Sequence, residues 1–84
     1  MNLVYNENAF REWLIVRKNL SKKASGDVVS RLNRCLRIES IEGHETFSSY
    51  LDALLQNPLL DHIPISSRAS MNRSVKLFFE FNFN

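Results

Sequence analysis

Residues 22–38 read Lys22-Lys23-Ala24-Ser25-Gly26-Asp27-Val28-Val29-Ser30-Arg31-Leu32-Asn33-Arg34-Cys35-Leu36-Arg37-Ile38. Ala24, Val28, Leu32, Cys35 and Leu36 recur at three- and four-residue steps, the cleanest helical period in the chain. Lys22, Lys23, Arg34 and Arg37 fall on the opposite side, with Arg31 at the flank. Ser21 stands just before the run and is a good N-cap, because its hydroxyl can accept a bond from a free N–H of the first turn. The spacing therefore predicts an amphipathic helix over about Lys22 to Ile38. Gly26 costs that helix roughly 1 kcal/mol relative to alanine, and is either tolerated or there to permit a close backbone approach. Two lysines in the first turn oppose the helix dipole. A phosphate bound at that end would reverse the penalty.

Upstream, Phe10, Trp13, Leu14 and Arg17 share a stripe, predicting a first helix from about Asn8 to Asn19 capped by Asn6 or Asn8. Ile15 and Val16 widen the stripe and are expected to reach neighbouring helices, with a contact to another subunit as the rival reading. Downstream, Glu39 to Glu45 reads as a polar loop around Gly43. Thr46 then caps a third helix through about Gln56, whose buried face would be Phe47, Tyr50, Leu51, Leu54 and Leu55. Asn57-Pro58 stops it. Leu59 to Ile65 is an apolar linker with a second proline, expected to lie packed on the surface.

A fourth helix over about Arg68 to Phe81, begun by Ser66 or Ser67, would place Met71, Val75, Phe78, Phe79 and Asn82 on one stripe and Arg73, Lys76 and Glu80 on the other side. A strand competes here, because Val75, Leu77, Phe79, Phe81 and Phe83 alternate strictly. The helix is preferred, since a capping serine precedes it and no partner strand is on offer. The last four residues stay open between the two. The expectation is thus an all-α fold, a small four-helix bundle forming one domain over residues 1–84.

With 84 residues there is room for one modest core. A lone cysteine, Cys35, cannot form an internal disulfide and is expected to be a buried structural thiol. No apolar run reaches the roughly 20 residues that cross a bilayer, and no signal-peptide pattern opens the chain, so no membrane association and a cytoplasmic location are expected. There is no Gly-rich phosphate loop and no Cys or His cluster, with His44 in a loop and His62 in the linker. No catalytic residue, cofactor or metal ligand is therefore assigned.

The net charge is only +2, but its distribution is polarised. Arg11 to Arg37 carries eight basic residues against two acidic ones, and Glu39 to Asp61 carries five acids and no Lys or Arg. Basic residues return at Arg68, Arg73 and Lys76. This predicts a positive face built from the second and fourth helices, either a solvated surface or one suited to the phosphates of DNA or RNA. Ser30, Asn33, Asn72 and Ser74 lie between the cations, where they would suit hydrogen bonds to phosphates or base edges. The alternative class is a helical protein-interaction or dimerisation domain, self-associating through the first helix or the aromatic C-terminal segment.

Phe10-Arg11-Glu12-Trp13-Leu14, then Leu20-Ser21-Lys22-Lys23-Ala24, then Val28 and Leu32, resembles the F-x-x-W-L helix, L-S-x-x-T link and four-residue Y/L steps of the N-terminal core-binding domain of tyrosine recombinases (phage integrases). Ala24 stands at the usual threonine and Val28 at the usual tyrosine. Nearly the whole chain follows the family's helix order, though only about ten positions match by type. The resemblance implies a SAM-like four-helix bundle that forms half of a clamp on DNA, with the second and fourth helices facing the duplex. It also implies a catalytic domain carrying the arginines, histidine and tyrosine, to which nothing in this chain corresponds. On that reading Ser21, Lys22, Lys23, Arg31, Arg34, Arg73 and Lys76 would be the DNA-binding residues, the cations on phosphate and Ser21 also capping the second helix, and Ile15 and Val16 would be candidates for touching a neighbouring protomer.

Overall fold

The computed structural model describes residues 5–83 and, for side chains, residues 5–82. It is all-α: α1 (Glu7–Val16), α2 (Lys22–Ile38), α3 (Phe47–Gln56), a 3-10 turn (Pro58–His62) and α4 (Ile65–Phe83). The four helices form a small bundle with α4 as its common wall, packed against α1, α2 and α3.

Each boundary has a local cause. The Asn6 side chain accepts from the Ala9 N–H at 3.1 Å, and Glu7 places a carboxylate at the positive end of the α1 dipole. α1 stops at Val16, earlier than the expected Asn19, because Asn19 takes a left-handed conformation at φ 56°. That turn lets the Leu20 N–H reach back to the Leu14 carbonyl at 3.1 Å. Ser21 caps α2 through the Ala24 N–H at 3.0 Å, and Thr46 caps α3 through the Ser49 N–H at 3.1 Å. Both match the expected starts.

The last carbonyls of α2 are satisfied by side chains of the next helix and its exit. Tyr50 donates to the carbonyls of Cys35 (3.1 Å) and Glu39 (2.7 Å), and the Asn57 amide donates to that of Ile38 (2.8 Å). These bonds tie the two helix ends together where a helix otherwise leaves carbonyls without partners.

The linker folds as a 3-10 turn that buries Leu60, with Ile63 buried just after it. Arg68 clamps it by donating to the carbonyls of Leu60 and Ile63. α4 starts at Ile65, ahead of the expected serines, and the Ser67 N–H bonds the Pro64 carbonyl at 2.9 Å. Neither Ser66 nor Ser67 is its cap. The alternation at Val75–Phe83 resolves as helix, and Asn84 lies outside the described residues.

The core runs from Phe10 and Leu14 through Val28, Val29, Leu32, Cys35, Tyr50 and Leu54 to Met71, Val75, Phe78 and Phe79. Two aromatic groups flank α4. On one side Phe10 meets Phe78 edge-on and, with Trp13, packs against Phe81. On the other, Phe47 and Tyr50 pack against Phe79. Two expected core members are corrected. Val16 is 68% exposed and Leu55 50% exposed, since one ends α1 on its outer side and the other turns past the α3–α4 contact. Ile15 is half-buried.

Candidate nucleic-acid interface

Helical geometry sorts the α2 cations into a strip. At 100° per residue, Lys23, Ser30, Arg34 and Arg37 lie on the outward side, with Lys22 and Arg31 on its two flanks. All six are exposed. From Lys23 to Arg37 the strip is about 21 Å long at 1.5 Å per residue. On α4, Arg73 and Lys76 are exposed one turn apart on the side away from the core. Among the described residues none of these cations stands in an ion pair. Because α2 and α4 pack directly, their axes are separated by roughly the 8–10 Å usual for touching helices. The two basic groups are thus borne on the outer sides of two helices that pack against each other.

Other expected participants are used inside the molecule. Asn33 accepts from the Tyr5 hydroxyl at 2.7 Å and donates to Glu7 at 2.9 Å, tying α2 to the start of α1. Ser74 is buried and bonds the Ser70 carbonyl at 3.2 Å. Asn33 would have to give up its bonds to Tyr5 and Glu7 to meet a phosphate or a base edge, and Ser74 is out of reach of either. Ser21 caps α2 while remaining exposed. Lys18 pairs with Glu80 and lies 5.5 Å from the Trp13 ring centroid, which joins the end of α1 to α4.

Arg37 is exposed on the same side of α2 and stands outside the expected phosphate-binding set. The signal was present in the three-residue recurrence Arg31, Arg34, Arg37. Its position near the helix end, where a cation complements the dipole, offered a sufficient structural reason.

Cys35 is fully buried, and burial pushes its thiol up to about 11, so it is no nucleophile near neutral pH. Burial likewise raises the Tyr50 phenol well above its ordinary range. The described residues bring no three His, Cys, Asp or Glu side chains together as a metal cage would need, and no described helix is long and apolar enough to cross a membrane.

A second surface feature lies between the start of α3 and the outer half of α4. It is an open groove of about 580 Å³ bordered by Glu45, Thr46, Phe47, Lys76, Phe79 and Glu80. Its floor is formed by the rings of Phe47 and Phe79, 6.1 Å apart.

Comparison of the chain with protein-family models, with curated proteins and with solved structures finds no match.

Proposed function

We propose that this chain is a duplex-DNA-binding module without catalysis of its own, gripping phosphates through α2 and α4 in the manner of a recombinase core-binding domain. The observation that carries the reading is the exposed strip Lys22, Lys23, Arg31, Arg34 and Arg37 on α2, with Arg73 and Lys76 on the neighbouring α4. Exposed cations outside ion pairs are what release of condensed counterions from DNA requires. The Phe10-to-Leu14 and Leu20-to-Ala24 resemblance supports the same reading and adds the expectation of a partner catalytic domain, with DNA integration or recombination as the process and the cytoplasm as its place.

Titration of a labelled duplex against the full chain at several salt concentrations tests it. With about six phosphate contacts, the logarithm of affinity should fall against the logarithm of salt with a slope near −5. Absence of binding at low salt would refute the reading.

The second reading is a protein-interaction domain. The exposed Val16 and the groove over Phe47 and Phe79 favour it. Self-association through the aromatic C-terminal segment has less support, because the rings of Phe78, Phe79 and Phe81 already pack within the molecule. A tight dimer in sedimentation, with no salt-dependent DNA affinity, would favour this second reading.

A further inference from the structure

Among the described residues, the large apolar side chains that stand well exposed are Val16 (68%), Leu55 (50%), Leu59 (54%) and Ile65 (79%). The last three share one end of the bundle. Leu55 lies in the last turn of α3, Leu59 in the 3-10 turn, and Ile65 opens α4. α3 touches that turn, and Arg68 holds the turn to the start of α4 through the carbonyls of Leu60 and Ile63. Pro58 and Pro64 are exposed beside them.

Val16 stands at the other end. α1 is held to the last turns of α4, with Trp13 packed on Phe81 and Lys18 paired with Glu80. Ile65 and Glu80 are about 22 Å apart along α4. The exposed apolar groups thus form two poles rather than one patch.

The poles differ in charge. At the leucine pole, Asp52 is exposed one turn before Leu55 on the same side of α3, and Asp61 is exposed in the turn that carries Leu59. Of the cations nearby, Arg68 is turned to backbone carbonyls and Arg37 lies on the outward side of α2. At the valine pole, exposed Arg17 follows Val16 directly and exposed Lys22 and Lys23 stand across the short link to α2. Glu12 is the acid nearby, and Glu80 is already paired with Lys18. Two leucine poles would set acid against acid, and two valine poles cation against cation. A leucine pole facing a valine pole joins apolar to apolar and acid to cation.

We infer that copies of this chain associate head to tail, Val16 of one copy seated on Leu55, Leu59 and Ile65 of the next, with Arg17 beside Asp52 and Asp61. Because the joined surfaces are unlike, each assembly keeps a free pole at either end. Copies therefore add in an open series instead of closing into a two-fold dimer. The association needs no nucleic acid and is separate from the DNA reading.

Sedimentation of the nuclease-treated full chain from about 10 µM to about 1 mM tests it, a range suited to a small contact. The average mass should rise with concentration past that of a dimer, and rise less at about 0.5 M salt, where the charged part is screened. Val16→Glu removes the head, and Leu59→Glu combined with Ile65→Glu removes the tail. All three side chains are exposed, so each variant should keep the helical circular-dichroism spectrum. Each alone should stay monomeric over the range. Mixed in equal amounts they should form one-to-one pairs that grow no further, since the first keeps its tail and the second its head. Arg17→Glu, which changes charge and leaves the apolar poles intact, should weaken association as well.

A wild type that is monomeric throughout, or that stops at a dimer, would overturn the inference. Self-association of either pole variant at wild-type strength would overturn it too, because the contact would then need one pole alone.

Discussion

Cys35 and Tyr50 connect stability to pH. The thiol is fully buried, and its folded-state value of about 11 stands above the ordinary 9.0. A raised folded value means that the folded chain keeps its proton where the unfolded chain has lost it. The resulting stability is whole below pH 9 and drains away as pH climbs to about 11. The amount at stake is up to about 3 kcal/mol for a two-unit shift. Tyr50, raised for the same reason, acts in the same direction at higher pH. Thermal melts from pH 8 upward should show Tm falling from about pH 9, with a shallower fall in Cys35→Ala. At neutral pH, Tyr50→Phe should cost about 1–2 kcal/mol in urea melts, because it strips a buried donor from the carbonyls of Cys35 and Glu39. The buried place of Cys35 was legible from its position on the apolar stripe. The hydroxyl bonds of Tyr50 were not, since they depend on how α3 meets the end of α2.

Among the elements, α2 was the most legible and α4 the least. In α2 the apolar residues, the Ser21 cap and the outward cations agree on one helix, so local and tertiary demands coincide. In α4, apolar groups occupy most of the circumference, because the helix meets three neighbours. A helix surrounded that way loses the one-sided period by which helices are recognised. Its strand-like alternation at Val75–Phe83 follows from that wide burial, and its start shifted because Pro64 and the Arg68 clamp fix the entry. Exposed Val16 was misjudged for the opposite reason. An apolar residue at a helix end can face solvent at little cost. The two glycines divide by element as well. Gly26 lies in α2 with open space around it, so Gly26→Ala should stabilise the chain by up to about 1 kcal/mol. Gly43 sits in the loop at φ +84°, where alanine is strained, so Gly43→Ala should destabilise by about 1 kcal/mol. Chemical denaturation of both variants checks the opposite signs.

Across the whole molecule, charge follows the division of labour among the helices. α2 presents cations outward along its length, while the loop after it and α3 carry exposed acids at Glu42, Glu45 and Asp52. Under the proposed DNA-binding function, Arg34→Glu combined with Lys76→Glu should abolish duplex binding at moderate salt while moving Tm by only a few degrees, since both side chains are exposed and stand in no ion pair among the described residues. Mobility-shift and melting curves on the same preparation separate lost binding from lost fold. The separate roles of the other cations needed the structure: Lys18 is held by Glu80 and Arg68 by backbone carbonyls, and neither commitment can be inferred from spacing. The wall formed by α4 has a consequence for synthesis. α1 and α2 leave the ribosome first and can pair as a hairpin, but Phe10, Leu32 and Tyr50 have no common surface to close on until Met71 to Phe81 has emerged. Until α4 emerges the nascent chain carries an open apolar face, and the native core forms only once α4 has joined the other helices.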